Sequence, residues 1–229
     1  MMERNDPAHV FLQSKLQTTL SSVVPHGQDY ALLDFPDHSN VGDSAIFMGQ
    51  LSILQSVHQS APAYVCSMRS YFNDPELALI DGPLYLHGGG NFGDLWPTHQ
   101  IFRETILRNH PDKKVIQLPQ SIHFNSDEAL EKAATAIGMH PDFTLMVRDK
   151  QSFDLAKKNF SCSILLCPDA AHGLGDLSGS QQATIPILCM IRTDSESGLT
   201  SEEIKEIHSY GPVQDWLEDT GESRLELKA

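Results

Sequence analysis

The sequence predicts an α/β fold with a doubly wound, largely parallel sheet of the Rossmann-like type. Short apolar runs typical of buried strands alternate with segments whose apolar residues recur at helical spacing. This alternation is typical of parallel strands joined by crossover helices. One apolar run, Leu84–Leu86, leads directly into Gly88, Gly89 and Gly90, and in such sheets the turns that follow strands often hold ligands.

Each predicted element rests on a local pattern. In the first helix, for example, Leu12, Leu16 and Leu20 recur on one face. Pro97 stands where a helix begins, which is a favoured position for proline. The predicted strands are Tyr30–Leu33, Ala63–Cys66, Leu84–Leu86, Val115–Leu118, Phe143–Val147, Cys162–Leu166 and Ile185–Ile191. The predicted helices are Ala8–Val23, Asp43–His58, Pro97–Asn109, Asp127–Ile137, Gln151–Asn159 and Ser201–Ser209.

A Gly- and Ser-rich stretch at residues 171–184 is typical of a linker. We therefore expect residues 1–180 to form a Rossmann-like N-terminal domain and residues 181–229 to form the start of a second one. The strand and helix pattern fades toward the C-terminus, which predicts that the second domain is truncated and ends in an acidic tail. Residues 194–229 contain ten acidic and three basic residues, a net charge of −7.

Charge and composition exclude several classes of partner. With 16 Lys and Arg against 30 Asp and Glu the net charge is −14, and a field of that sign repels nucleic acid. The N-terminal residues are polar and no apolar run approaches the roughly 18 residues of a membrane span, so we expect a cytoplasmic protein. The four cysteines have no C-x-x-C spacing and lie in or beside apolar runs, which predicts reduced thiols in the core.

The segment His87–Pro97 gives the strongest local signal for a ligand site. Gly88, Gly89 and Gly90 allow close approach to the backbone, and their N–H groups suit an anion. The spacing also satisfies G-x-G-x-x-G, but the next predicted strand ends in Leu-Pro-Gln instead of the acidic residue of a dinucleotide site. A serine hydrolase would need a G-x-S-x-G elbow, which the sequence lacks. A tight turn without a ligand is the remaining alternative.

A second candidate loop precedes the helix that begins near Asp43. Asn40 or Asp43 can cap this helix, and Gly42 can adopt a positive φ. Because the ends of parallel strands lie at one edge of the sheet, we expect this loop beside the glycine segment, with Asp43 facing a sugar hydroxyl. The alternative is that Asp43 serves only as a helix cap.

Polar residues also follow two later predicted strands. Gln120 and Ser121 follow Val115–Leu118, and Arg148 follows Phe143–Val147. We predict that these three side chains contact the ligand at the same edge of the sheet. A purely structural ion pair between Arg148 and Asp149 is the alternative for the arginine.

The last strand ends carry His172 and Arg192. His172 is a candidate ligand contact, but together with Asp169 it lacks the further ligands that a metal ion needs. Arg192 follows the predicted strand Ile185–Ile191, and a guanidinium there suits a phosphate or carboxylate. An arginine on the surface without a ligand is the alternative.

These residues lie in segments that resemble the polysaccharide pyruvyl transferase family. The segments are N-V-G-D-S-A-I (Asn40–Ile46), G-G-G-N-F-G-D-L-W-P (Gly88–Pro97), R-E (Arg103–Glu104), L-P-Q-S-I (Leu118–Ile122), V-R-D (Val147–Asp149) with Ser152, P-D-A-A-H (Pro168–His172) and R-T-D-S-E (Arg192–Glu196). Their order and spacing make the resemblance specific, and we expect it to end at Glu196. The resemblance implies two Rossmann-like halves around a cleft, as in GT-B glycosyltransferases, with the second half incomplete here.

The resemblance also implies an activity. Family members transfer the enolpyruvyl carbons of phosphoenolpyruvate to two hydroxyls of a sugar, which gives a cyclic ketal and releases phosphate, in exopolysaccharide or cell-surface glycan synthesis. The implied partners are phosphoenolpyruvate as the donor substrate and a glycan or lipid-linked sugar as the acceptor, with no cofactor. For these substrates we expect Asp43 to act as general base or to orient the acceptor. We expect Asn91 and Asp94 to line the acceptor cleft and Arg192 to bind the anion.

Because the resemblance implies an incomplete second half, we expect this chain to be inactive alone. Two other functions also stay open at this point. One is a non-catalytic remnant that binds a sugar, and the other is half of a nucleotide-sugar glycosyltransferase. Phosphate release from phosphoenolpyruvate, compared with nucleotide sugars as donors, distinguishes them. The oligomeric state, a homo-oligomer included, stays open as well.

Overall fold

The computed structural model describes residues 7–24, 27–38, 40–71, 77, 80–175, 177, 185–191 and 197–215. By its internal contacts the chain divides into two compact units. One unit consists of Met1–Asp37 with Gly42–Asp176, and the other of His38–Val41 with Leu177–Ala229. The first unit holds the large sheet, and the second holds a two-stranded one.

A parallel sheet of seven strands forms the centre of the first unit, which confirms the predicted α/β class. The strands are β1 Ala31–Leu33, β2 Tyr64–Cys66, β3 Leu84–Leu86, β4 Gly89–Gly93, β5 Val115–His123, β6 Phe143–Val147 and β7 Ser163–Leu166. Their order is β2-β1-β3-β5-β6-β7, and β4 pairs with the distal half of β5. The first connection leads from β1 to β2 on one side of β1, and the next leads from β2 to β3 on the other side of β1. A topological switch point therefore lies between β1 and β3.

Helices bury both faces of the sheet, which explains why the strands are continuous apolar runs. They are α1 Pro7–Ser21, α2 Val41–His58, α3 Met68–Tyr71, α4 Pro97–Asn109, α5 Asp127–Gly138 and α6 Lys150–Asn159, with a short 3-10 turn at Ala170–Leu174. Neighbouring residues of β1 enter different core clusters, Leu32 on one side and Leu33 on the other. In the described part of the chain no helix is both long and apolar enough to cross a membrane.

The segment that the sequence predicts as a glycine-rich loop is a strand in the structure. β4 continues the line of β3 after an interruption at His87 and Gly88, and it pairs in parallel with residues 120–123 of β5. β5 is correspondingly longer than predicted and runs through Pro119 to His123. Glycine is depleted in strands, so composition favoured a turn. Hydrogen bonding to a neighbouring strand distant in sequence decides the conformation instead.

Gly93 in β4 can be tested for its role in holding this strand. Its φ is 126°, and a Cβ atom there would lie 1.7 Å from the His123 backbone oxygen. We expect Gly93→Ala to lower the free energy of unfolding by about 2–3 kcal/mol, since it adds backbone strain and a steric clash. Urea denaturation measures the change. Gly138→Ala is the matched control, because a Cβ atom there meets nothing within 4 Å, and an equal loss in both variants would contradict the prediction.

Two glycines allow α2 to lie directly on the 3-10 turn that follows β7. A Cβ atom at Gly49 would lie 2.1 Å from the Ala170 backbone oxygen, and one at Gly173 would lie 2.3 Å from the Gly49 oxygen. Neither position can therefore carry a side chain without moving one of the two backbones. The contact joins the element that begins near Asp43 to the element that follows Asp169.

The second unit contains a small parallel pair, β8 Cys189–Met190 and β9 Val213–Gln214, joined through helix α7 Ser201–Ile207. The helix begins with a reciprocal capping box between Thr200 and Glu203. The predicted strand Ile185–Ile191 is thus reduced to two residues, and β9 was not predicted. Two-residue strands are too short to give a periodic signal in the sequence.

Candidate active site

Polar residues from five elements meet at the carboxyl edge of the seven-stranded sheet. Asp34 follows β1, Asn91 lies in β4, Gln120 lies in the distal half of β5, Arg148 follows β6 and Asp169 follows β7. Because β4 extends past β3, the glycine backbone forms part of this edge. The edge next to a switch point is where open parallel sheets bind ligands, and we take it as the candidate active site.

Asp43 reaches the site from the first turn of α2. A Cβ atom built on Gly89 would lie 3.3 Å from Asp43 Oδ1 and 3.7 Å from the Ile46 side chain. Gly89 has a φ of 120°, so its backbone also disfavours other residues. The sequence prediction that Asp43 lies beside the glycine segment is therefore confirmed, and the half-buried carboxylate stands over the backbone of β4.

Arg148 reaches the same strand from the other side. Its Nε donates to Ser121 Oγ at 2.9 Å and its Nη1 donates to Asp169 Oδ2 at 2.5 Å. Its Nη2 lies 3.3 Å from where a Cβ of Gly90 would stand. Two partners thus fix the guanidinium, and the third nitrogen faces the exposed Gly90.

Asp149 is not the partner of Arg148 in a direct ion pair, which was the structural alternative. Its carboxylate caps α6 by accepting hydrogen bonds from the Ser152 backbone N–H at 2.7 Å and the Ser152 hydroxyl at 2.9 Å. It also accepts from Ser121 Oγ at 2.7 Å. Desolvation raises the pKa of Asp149, but these hydrogen bonds together with Arg148 outweigh it, so the pKa lies below its usual value. Asp149 orients Ser121, which in turn holds Arg148.

Hydrogen bonds to the buried Gln120 amide hold Asn91 in the site. The Asn91 backbone N–H donates to Gln120 Oε1 at 3.2 Å, and Gln120 Nε2 returns a hydrogen bond to Asn91 Oδ1 at 2.8 Å. Arg103 Nη2 donates to the same oxygen at 3.0 Å. These two donors fix the orientation of the Asn91 amide, so that its Nδ2 faces His99 Nδ1 at 3.2 Å.

Arg103 of α4 is buried beneath the strand and supports it. Besides Asn91, it donates to Gln117 Oε1 at 2.6 Å and to Gln100 Oε1 at 2.7 Å. Its guanidinium carbon lies 4.2 Å from the centre of the Phe92 ring. Burial lowers the pKa of Arg103 to about 10, although the nearby Asp34 and Glu104 carboxylates oppose this shift. Arg103 remains a cation at neutral pH.

Asp34 and His99 form a pair at this edge that the sequence analysis missed. Asp34 Oδ2 lies 2.9 Å from His99 Nδ1, and Asp34 is only 4% exposed. The backbone of Asp34 has a φ of 69°, a left-handed conformation that is uncommon for residues other than glycine. A carboxylate directly after a buried strand was the available signal, but its partner lies 65 positions away in the sequence.

Four other residues that the sequence predicted for the site take no part in the contacts described so far. The Asp94 carboxylate accepts hydrogen bonds from the Asn125 and Ser126 backbone N–H groups at 2.8–2.9 Å, and these outweigh desolvation, the largest single influence, so its pKa is lowered. The Asn40 backbone N–H donates to His38 Nδ1 at 3.3 Å. Gly42 is exposed at the second position of α2, and Gly88 is buried against the Pro119 oxygen.

His172 and Arg192 complete the predicted set. The His172 ring lies 6.0 Å from the ring of His9, and its backbone N–H donates to the Asp169 oxygen. Among the described residues, no group of three or more His, Cys, Asp or Glu side chains is arranged to hold a metal ion. Arg192 lies outside the described residues, and its predicted role stays a prediction.

Comparison with known proteins relates the chain to pyruvyl transferases. Residues 40–224 match the family described as polysaccharide pyruvyl transferase. The chain is 36% identical over 180 residues to "Pyruvyl transferase 1" of Schizosaccharomyces pombe, which covers 73% of this chain and 45% of that protein. It is 33% identical over 218 residues to "Putative pyruvyl transferase EpsO" of Bacillus subtilis, which covers 90% of this chain and 62% of that protein.

The extent of these matches corrects one expectation. The likeness was predicted to end at Glu196, but the family match continues to residue 224. It therefore includes α7 and β9, whose short elements give little periodic signal. The chain spans about half to three fifths of the length of these two relatives.

Proposed function

Because the chain belongs to the polysaccharide pyruvyl transferase family, we propose that it carries the site that transfers pyruvate from phosphoenolpyruvate to a sugar. The product is a cyclic ketal on two hydroxyls of a glycan or lipid-linked sugar, and phosphate is released. The pathway that we propose is exopolysaccharide or cell-surface glycan synthesis. We also propose that Arg192 binds the anionic donor.

One observation supports this proposal more than any other. The Asp43 carboxylate and the Arg148 guanidinium stand over neighbouring residues of one strand, Gly89 and Gly90. Among the described residues, the third nitrogen of this guanidinium has no hydrogen-bond partner, and such a group suits a phosphate or carboxylate. A carboxylate beside the same strand can accept the proton of a hydroxyl. The pair therefore provides one group for each substrate.

The proposed reaction needs both kinds of group. Two sugar oxygens form bonds to C2 of phosphoenolpyruvate, and the bond from C2 to the phosphate oxygen breaks. C3 gains one proton and becomes a methyl group, and the phosphate leaves with another. The two sugar hydroxyls lose two protons, so the protons balance. In this scheme Asp43 takes one of these protons and passes it to C3, and Arg148 with the Gly90 backbone holds the anionic donor.

A donor comparison tests the proposed function. The purified chain is incubated with phosphoenolpyruvate and methyl hexopyranosides of gluco, galacto and manno configuration, and inorganic phosphate and product mass are measured. The sequence predicted an inactive chain, because the likeness was expected to end at Glu196. Since the family match continues to residue 224, we instead expect phosphate release with formation of a pyruvate ketal. Turnover only with nucleotide sugars would favour a glycosyltransferase half, and sugar binding without turnover of any donor would favour the non-catalytic remnant.

Arg148→Lys tests the proposed donor contact. Lysine keeps the charge but loses the planar fork that bridges Ser121, Asp169 and the region of Gly90. We expect the dissociation constant for phosphoenolpyruvate, measured by calorimetry, to rise about 10- to 100-fold, since hydrogen bonds to charged groups contribute about 1.5–3 kcal/mol. Arg69→Lys is the matched control, because the ion pair that Arg69 forms with Asp37 is exposed on both sides. Unchanged affinity in Arg148→Lys would remove Arg148 from the donor site.

A further inference from the structure

The imidazole of His99 is held at the candidate active site by a buried carboxylate. His99 lies in the first turn of α4, and its Nδ1 is 2.9 Å from Asp34 Oδ2. The two side chains are 17% and 6% exposed. Asp34 follows β1 next to the switch point of the sheet, so the carboxylate is fixed by the sheet and the imidazole by the helix.

The contacts of Nδ1 determine the tautomer of the ring. Nδ1 faces two groups, the Asp34 carboxylate and the Asn91 amide nitrogen at 3.2 Å. The amide cannot turn its oxygen toward the ring, because that oxygen already accepts from Arg103 and Gln120. The Asn91 Nδ2 group can only donate, whereas the Asp34 carboxylate only accepts and lies at the shorter distance, so the Nδ1 proton is donated to Asp34. In the neutral ring, the lone pair therefore resides on Nε2.

The Nε2 atom is available to a ligand. In the part of the chain that the structure describes, Nε2 has no hydrogen-bond partner, since both contacts of the ring involve Nδ1. Nε2 does not belong to the buried side-chain atoms without a partner either. It thus reaches solvent. The ring contacts Asn91, which follows Gly90, and Gly90 in turn faces Arg148. His99 therefore stands at the same edge as the residues assigned to the two substrates.

Resting on the proposed function, we infer that His99 is a second proton-transfer residue of the reaction and that Asp34 is its positioning residue. Ketal formation removes protons from two hydroxyls, and Asp43 accounts for one. As the second hydroxyl oxygen forms its bond to C2, its O–H bond breaks and the proton moves to His99 Nε2. The Asp34 carboxylate stabilises the resulting imidazolium. The proton then passes to an oxygen of the departing phosphate, which returns His99 to its neutral form.

Kinetics of four variants test this inference in the full chain. We expect His99→Gln to lower kcat for phosphate release about a hundredfold with little change in the KM for phosphoenolpyruvate. We expect Asp34→Asn to lower kcat about tenfold. Asparagine is chosen because it tolerates the left-handed backbone of Asp34. Imidazole in the buffer is expected to restore at least a tenth of the rate to His99→Ala. His110→Gln, just past the other end of α4, is the control.

Rates in His99→Gln and Asp34→Asn that equal the unaltered rate would overturn the inference. So would a loss in His99→Ala that imidazole does not rescue, because a purely structural role predicts no rescue.

A spectroscopic measurement separates this inference from the proposed function. Nitrogen chemical shifts of the His99 ring in ¹⁵N-labelled protein report the tautomer without any turnover. A protonated Nδ1 and an unprotonated Nε2 are expected in the unaltered chain, with a mixture of tautomers in Asp34→Asn. A protonated Nε2 in the neutral ring would overturn the role of His99 whatever the activity. Absence of phosphate release with the expected tautomer would instead overturn the proposed function, and with it the path given for the proton.

Discussion

Asp43→Asn is expected to lower the rate of phosphate release from phosphoenolpyruvate by about 10²- to 10⁴-fold, the usual contribution of a general base. Asparagine has the same shape, so the contact with Gly89 is kept, but the amide cannot accept a proton. The KM for phosphoenolpyruvate should change little, because Arg148 and not Asp43 is proposed to hold the donor. Steady-state kinetics with saturating acceptor sugar measure both constants.

Asp37→Asn is the matched control for this substitution. Asp37 is an exposed carboxylate that forms an exposed ion pair with Arg69. Exposed ion pairs contribute little to the free energy of unfolding. Its activity should equal that of the unaltered chain. A rate in Asp43→Asn within threefold of the control would leave Asp43 only its position at the start of α2, which was the alternative in the sequence analysis.

Arg103→Met is expected to cost about 3–5 kcal/mol of unfolding free energy, as does the removal of one partner from other buried charged networks. Methionine fills a similar volume over Phe92 but leaves the side-chain oxygens of Gln100 and Gln117 without the donor that now satisfies them. It also removes one of the two donors to Asn91 Oδ1. Each unsatisfied buried group adds a desolvation penalty. Urea denaturation followed by circular dichroism measures the loss.

Arg108→Met on the same helix is the control for Arg103→Met. Arg108 is exposed in the last turn of α4, and its replacement should change stability by less than about 0.5 kcal/mol. A loss below 1 kcal/mol in Arg103→Met would mean that the network relaxes around the missing guanidinium. In that case Arg103 would not be the support of β4 that its hydrogen bonds indicate.

Local patterns in the sequence predicted those parts of the fold that depend on local interactions. Strand Phe143–Val147 was predicted to the residue, because a continuous apolar run buried on both faces leaves little choice. Strand β4 was not, since five residues that include three glycines have no strand propensity. Its conformation depends on pairing with the distal half of β5, which no local pattern reports.

The candidate site was likewise predicted only in part from the sequence. Asp43 and Arg148 were found because each follows a strand, and the edge of a parallel sheet brings such residues together. Their partners were not found: Arg148 pairs with Asp169 and not with its neighbour Asp149, and His99 pairs with Asp34 across 65 positions. These choices depend on side-chain directions in the folded sheet. Sequence order does not encode them in any simple spacing.

The contact between Gly49 and Gly173 has a mechanical consequence for the site. α2 carries Asp43 at its beginning, and the 3-10 turn carries Asp169 at its cap. The two backbones are in direct contact at these glycines, with no side chain between them. A shift of the helix is therefore expected to displace the turn as well. A displacement of α2 would therefore change the position of Asp169, which anchors Arg148, together with that of Asp43.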